Sequence, residues 1–141
     1  MQFVEAFEHL GYRVEAPRQD WSAEKDDGIC ISLWKKEMGS RDGLPLMNTL
    51  THADPIENWG NKPGNGKRIR HLRRAVEEFE GRVDVVIVSG EPGASYGTAQ
   101  PWVAKDGRAG TYWQVTELDT GTGHFEVVLI KAEQTARATK G

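Results

Sequence analysis

Cysteine is nearly missing from this chain: Cys30 is the only one. That excludes an internal disulfide and any Cys-rich zinc site, including the zinc ribbons and fingers of many nucleases. Histidine is sparse too, and His9, His52, His71 and His124 show no metal-ligand spacing. No run approaches the 18 or more apolar residues of a membrane span. The opening MQFVEAFEHL lacks the basic start and long apolar stretch of a secretory signal, so a soluble, cytoplasmic protein is expected. Neither charge sign dominates, with 18 Lys and Arg against 21 Asp and Glu and a net charge of -3, so any nucleic-acid role must rest on a local patch. What the chain has is 141 residues, 38% hydrophobic content and five tryptophans, enough for one self-sufficient core. We expect a single domain over 1–133 and a flexible tail over 134–141, where the sequence has no apolar face.

Periodicity places the elements. Phe3, Val4, Phe7 and Leu10 at helical spacing predict a helix over 2–10, closed by Gly11. The polar stretch APRQDWSAEKDDG predicts a loop. Ile29, Ile31 and Leu33 alternate with Cys30, Ser32 and Trp34, as in a strand that buries one face more deeply. Residues 37–66 carry only a weak apolar cluster and the glycine-rich run Gly60 to Gly66. Ile69, Leu72, Val76 and Phe79 then line one side of a helix over Lys67 to Glu80. The β-branched run Val83 to Val88 predicts an interior strand. Gly, Pro and Ala over 90–110 predict a loop, and Tyr112 to Leu118 with His124 to Ile130 predict a hairpin.

The charge order along the second helix is unusual. Lys67, Arg68, Arg70, His71, Arg73 and Arg74 precede Glu77, Glu78 and Glu80, against the preference of the helix dipole. Lys67, Arg70, His71 and Arg74 project together as a basic face opposite Ile69, Leu72 and Val76. Arg73 with Glu77 and Arg74 with Glu78 have i,i+4 partners, whereas Lys67, Arg68 and Arg70 have none. Preceded by glycine-rich backbone, these three are candidates for holding phosphates; the plain alternative is a solvated basic surface. Trp34, Trp59 and Tyr96 supply candidate stacking surfaces for bases, against their ordinary role as core residues.

Three catalytic patterns compete with binding. Gly60 to Lys67 fails as a phosphate-binding nucleotide loop, because Gly60 stands one residue too early and Arg68 replaces the Ser or Thr. Gly93-Ala94-Ser95-Tyr96-Gly97 matches a nucleophile elbow, with Asp119 and His124 in triad order, yet Pro92 and Pro101 oppose the strand-turn-helix the elbow needs. Asp20, Glu24, Asp26 and Asp27 offer oxygen ligands for Mg, but no Glu-x-Lys follows on a second strand, and a solvated acidic loop is the simpler reading.

Gly28-Ile29-Cys30-Ile31-Ser32-Leu33-Trp34-Lys35, then Gly66-Lys67-Arg68-Ile69-Arg70-His71-Leu72-Arg73, then Val83 to Val88 resemble the N-terminal part of McrA-like restriction proteins. The likeness covers roughly 26–90 as pattern. It implies a module that reads modified cytosine in DNA, and since these 141 residues hold no His/Cys-rich HNH segment, a reader without a nuclease. No site residue is carried across from the family.

The expected fold is therefore α+β: one domain with a twisted mixed or largely antiparallel sheet packed by the Lys67 to Glu80 helix, a PUA-like barrel being one form it can take. The expected function is DNA binding, with modified-base reading as its finer form and no catalysis or cofactor. Lys67, Arg68, Arg70, His71 and Arg74 would meet phosphates, and Trp34, Trp59 or Tyr96 a base. The alternatives are a small metal-dependent nuclease or hydrolase using Glu24, Asp26 or Asp27, and a protein-interaction or immunity-type domain.

Overall fold

Val83 to Val88 forms the centre of the sheet. In the computed structural model, residues 1–91, 95–102 and 110–131 are described, Ser95 and Tyr96 by backbone only; the predicted tail lies outside them. Strand β5, Arg82–Glu91, runs parallel to β2, Gly28–Trp34, and antiparallel to both β6, Ser95–Pro101, and β7, Thr111–Leu118. Helix α3, Pro63–Glu78, leads from the β2 side back into β5. Strand β1, Ser22–Lys25, flanks β2; β8, Phe125–Lys131, flanks β7, followed outward by β4, Leu44–Asn48, and β3, Gly39–Arg41. This is a mixed sheet of eight strands. Its end strands β1 and β3 do not pair with each other, so the described sheet is open rather than a closed barrel.

Both faces of the central strands are buried, which explains their unbroken apolar character. Ile29, Ile31, Leu33 and Val85 pack beneath α3 with Leu72, Ala75, Trp113 and Phe125. Cys30, Val86 and Val88 point the other way, onto Phe3, Phe7 and Tyr12. Those residues belong to helix α1, Phe3–His9, and the turn after it. A second helix therefore covers the face opposite the long one. The expected hairpin is present, with Leu118 opposite Phe125.

Three stretches depart from expectation. Part of the predicted loop before Gly28 is β1, whose two buried residues, Ser22 facing α3 and Ala23 facing the other side, are small, so no apolar alternation shows in the sequence. Within 37–66, Arg41 and Leu44 pair across Asp42-Gly43, both with positive φ (54° and 78°), the geometry of a two-residue hairpin turn. A short helix α2, Thr49–His52, follows β4. The predicted loop over 90–110 contains β6, with Ala99 opposite Val88 and fully buried. Gly97, Ala99 and Pro101 are poor strand formers, and β6 is held by a neighbour of much higher β-propensity.

Helix α3 also starts earlier than predicted, at Pro63, a residue suited to the first helical position. Gly64 lies within the helix, and only glycine fits there because a Cβ would lie 2.5 Å from the Gln19 carbonyl oxygen and 2.7 Å from the Trp21 ring. The glycine-rich run is thus helical backbone for half its length. The buried side is rotated as well, since His71, Leu72 and Ala75 are buried while Val76 is 48% exposed.

Candidate functional site

That rotation turns much of the predicted basic face inward, onto acids from the first third of the chain. Lys67 Nζ lies 2.8 Å from Asp20 Oδ2 and 3.1 Å from Glu15 Oε1, and the Asp20 contact holds the ammonium pKa up. Arg74 donates to Glu24 Oε1 at 2.9 Å, to the carbonyls of Lys25 and Asp26 at 2.9 and 3.0 Å, and to Glu78. Arg73 pairs with Glu77 at 3.1 Å. Lys67 and Arg74, read from local spacing as phosphate ligands, thus serve first as a seam between α3 and the β1 hairpin.

His71 belongs to the same seam. Its Nδ1 is 2.6 Å from Ser22 Oγ and its Nε2 3.4 Å from Glu24 Oε2. The trio has the composition of a nucleophile, base and acid, but Ser22 is 1% exposed, so its hydroxyl is closed to a substrate. Burial pulls the imidazole pKa below its usual 6.5; Glu24 opposes this, Lys67 and Arg70 add to it, and Asp20 opposes it weakly. The unfolded chain therefore binds this proton first as pH falls. We expect stability to drop as pH falls below 6.5 and His71→Gln to flatten that step in urea melts; an unchanged slope in the variant would exclude His71 as its source.

Arg68 is placed quite differently. Its guanidinium carbon lies 4.8 Å from the Trp21 ring centre, 4.7 Å from Phe125 and 5.6 Å from Trp59. Nε is sealed from water with no acceptor, and among the described residues none accepts a hydrogen bond from any guanidinium nitrogen. Glu37 is the acid that acts on it, from beyond ion-pair distance, and burial lowers the Arg68 pKa to about 10. Desolvating a cation costs several kcal/mol, while each aromatic face returns roughly 0.5–2 kcal/mol. Among the described residues no carboxylate closes the balance. No family model, curated protein or solved structure matches this chain.

The corner is assembled from distant segments. Trp21 precedes β1; Glu37 follows β2, whose C-terminal end lies near the start of α3 because the helix runs back to a parallel strand. Trp59 is 9% exposed, donates Nε1 to the Asp54 carbonyl at 2.8 Å, and meets the His124 ring edge-on at 5.4 Å. Asn65 is buried, its amide nitrogen bridging the carbonyls of Gly60 and Thr122 at 2.9 and 3.0 Å. His124 Nδ1 meets Thr49 Oγ1 at 3.0 Å. Trp59 and Arg68, both predicted site residues, are brought together; Trp21 and Phe125 were not foreseen, and no spacing in the sequence links them.

The remaining candidates are dispersed. Trp34 packs toward α1, on the sheet face away from α3, and the side chain of Tyr96 lies outside the described residues. Arg70 is exposed and, among the described residues, donates a hydrogen bond only to the Gly66 carbonyl, at 3.5 Å. Asp26 and Asp27 form the exposed β1–β2 turn, with Asp27 3.9 Å from Lys25. Among the described residues no three acids, histidines or cysteines gather as a metal site. Ser95 opens a strand antiparallel to β5, so the strand-turn-helix of an elbow is not formed there, and its side chain lies outside the described residues. Asp119 is a turn residue whose carboxylate accepts from the Gly121 amide at 2.9 Å, which lowers its pKa. Among the described residues no helix is long and apolar enough to cross a membrane.

Proposed function

We propose that this domain binds DNA through the first turns of α3, and that it has no chemistry of its own. One observation carries the reading. With Lys67, Arg73 and Arg74 matched with carboxylates and His71 kept neutral by burial, the positive charge left over on α3 and its N-cap, among the described residues, lies at Lys62, Arg68 and Arg70, toward the positive end of the helix dipole. Arg68 and Arg70 are two residues apart and so about 200° around the helix, on opposite sides. One small anion cannot reach both, whereas a polyanion crossing the helix start can. Trp59 beside Arg68 is an aromatic component close to this charge, and because its ring is buried, reading a base would require it to turn outward.

The test is a salt titration on short duplexes, unmodified and cytosine-modified. Wild-type affinity should fall steeply with salt, and Lys62→Gln with Arg70→Gln should make the log–log slope shallower by about 2 and weaken binding roughly tenfold at moderate salt. Tighter binding of the modified duplex supports base reading. No binding at low salt excludes the proposal.

A further inference from the structure

The exposed cations explain attraction to a polyanion, but Arg68 needs more. Three rings wall it in, Nε is closed off, and the side chain is only half-buried overall, so its remaining access is at the Nη end of the fork. Buried cations normally meet an anion, and the acid nearest in effect, Glu37, stands back from contact. An arginine fork is shaped for two oxygens of one phosphate or carboxylate. A methionine or leucine would fill the same space with no charge to desolvate.

We infer that the Arg68 fork, framed by Trp21, Trp59 and Phe125, receives a terminal phosphate monoester of a nucleic-acid strand. The assignment rests on the nucleic-acid reading above and narrows it. Internal phosphodiesters lie along a continuous chain and meet exposed cations such as Lys62 and Arg70. A group flanked by three rings is open to a chain end, and a monoester carries more charge and three free oxygens. The terminal nucleoside then lies outside the corner, since the Trp59 ring that helps wall it is itself buried.

The experiment compares short strands differing only at the end, with a 5′-phosphate, a 3′-phosphate or hydroxyls, followed by anisotropy and by tryptophan fluorescence, since Trp21 and Trp59 border the fork. At least one phosphorylated strand should bind about tenfold more tightly than the hydroxyl-ended strand. Arg68→Met should remove that difference, weaken the hydroxyl-ended strand only by the share of one cation while leaving its binding salt-dependent, and melt no lower than wild type, because an apolar side chain replaces a desolvated charge. Arg68→Lys keeps the charge without the fork and should lose most of the preference. Equal binding of all three strands, or a preference that survives Arg68→Met, overturns the terminal-phosphate site while leaving DNA binding in place. A large drop in melting temperature in both variants overturns it too, by making Arg68 a structural strut. Absence of binding to every strand overturns the parent reading; inorganic phosphate then decides the site itself, surviving if phosphate perturbs wild-type fluorescence but not that of Arg68→Met, and falling if it perturbs neither.

Discussion

Trp113→Ala should lower the melting temperature by roughly 10–20 °C, the effect of losing about 3–5 kcal/mol from a domain this size. Trp113 is 1% exposed in β7 and sits where the sheet divides. Strand β5 pairs with β7 at Val83 and with β6 from Val86 onward, so the two partners separate along one strand. Trp102, packed edge-on against Trp113 at 5.5 Å, helps fill that division, and its amide bonds the Val85 carbonyl at 2.9 Å. Truncation leaves a cavity bounded by strands that cannot close on it without breaking ladder hydrogen bonds. Trp113→Phe should cost much less than the alanine change, because it also removes Nε1, a buried donor with no acceptor. Thermal melts of the two variants test this, and equal losses would show that the ring volume is not what matters.

Glu126 should dominate the acid limb of stability. It is 6% exposed on β8 and accepts from Arg41 Nη2 at 3.0 Å, Thr116 Oγ1 at 2.6 Å and Asn48 Nδ2 at 3.0 Å, joining β3, β4 and β7 to its own strand. The Arg41 contact, then those to Thr116 and Asn48, lower its pKa from 4.5 to about 2. A depressed carboxylate pKa stabilises the fold above the unfolded-state value. The contribution is complete above 4.5 and is lost as pH falls from there to about 2. It amounts to roughly 3 kcal/mol at most, less to the extent that water screens the exposed Arg41. Urea melts from neutral to acid pH should show this loss in wild type and little of it in Glu126→Gln. Glu126→Ala should be worse at neutral pH, because Asn48 and Thr116 lose their acceptor. A Glu126→Gln variant with the wild-type acid profile would refute the assignment. The His71 step lies at higher pH, so the two are separable.

The elements that were legible have dense local patterns. Val83 to Val88 can only be a buried strand, α3 repeats its apolar residues at helical spacing, and the β7–β8 hairpin has two strand-like runs about a glycine turn. Strands β1, β3 and β6 were hidden because each lies beside a stronger neighbour and carries few large apolar residues. The Asp42-Gly43 turn was the one local sign of the β3–β4 hairpin. Reading the basic helix by i,i+4 spacing missed Glu15, Asp20 and Glu24, acids that reach it only after the chain folds back.

By itself, then, the sequence determined a one-domain α+β fold, the long helix with its excess of cations, and the central buried strand, because hydrophobic periodicity and residue chemistry are local properties. Which cations stay free, and which rings surround Arg68, was decided by the tertiary structure alone. Ion pairing and desolvation depend on distances between segments far apart in the chain, and no spacing along it encodes them.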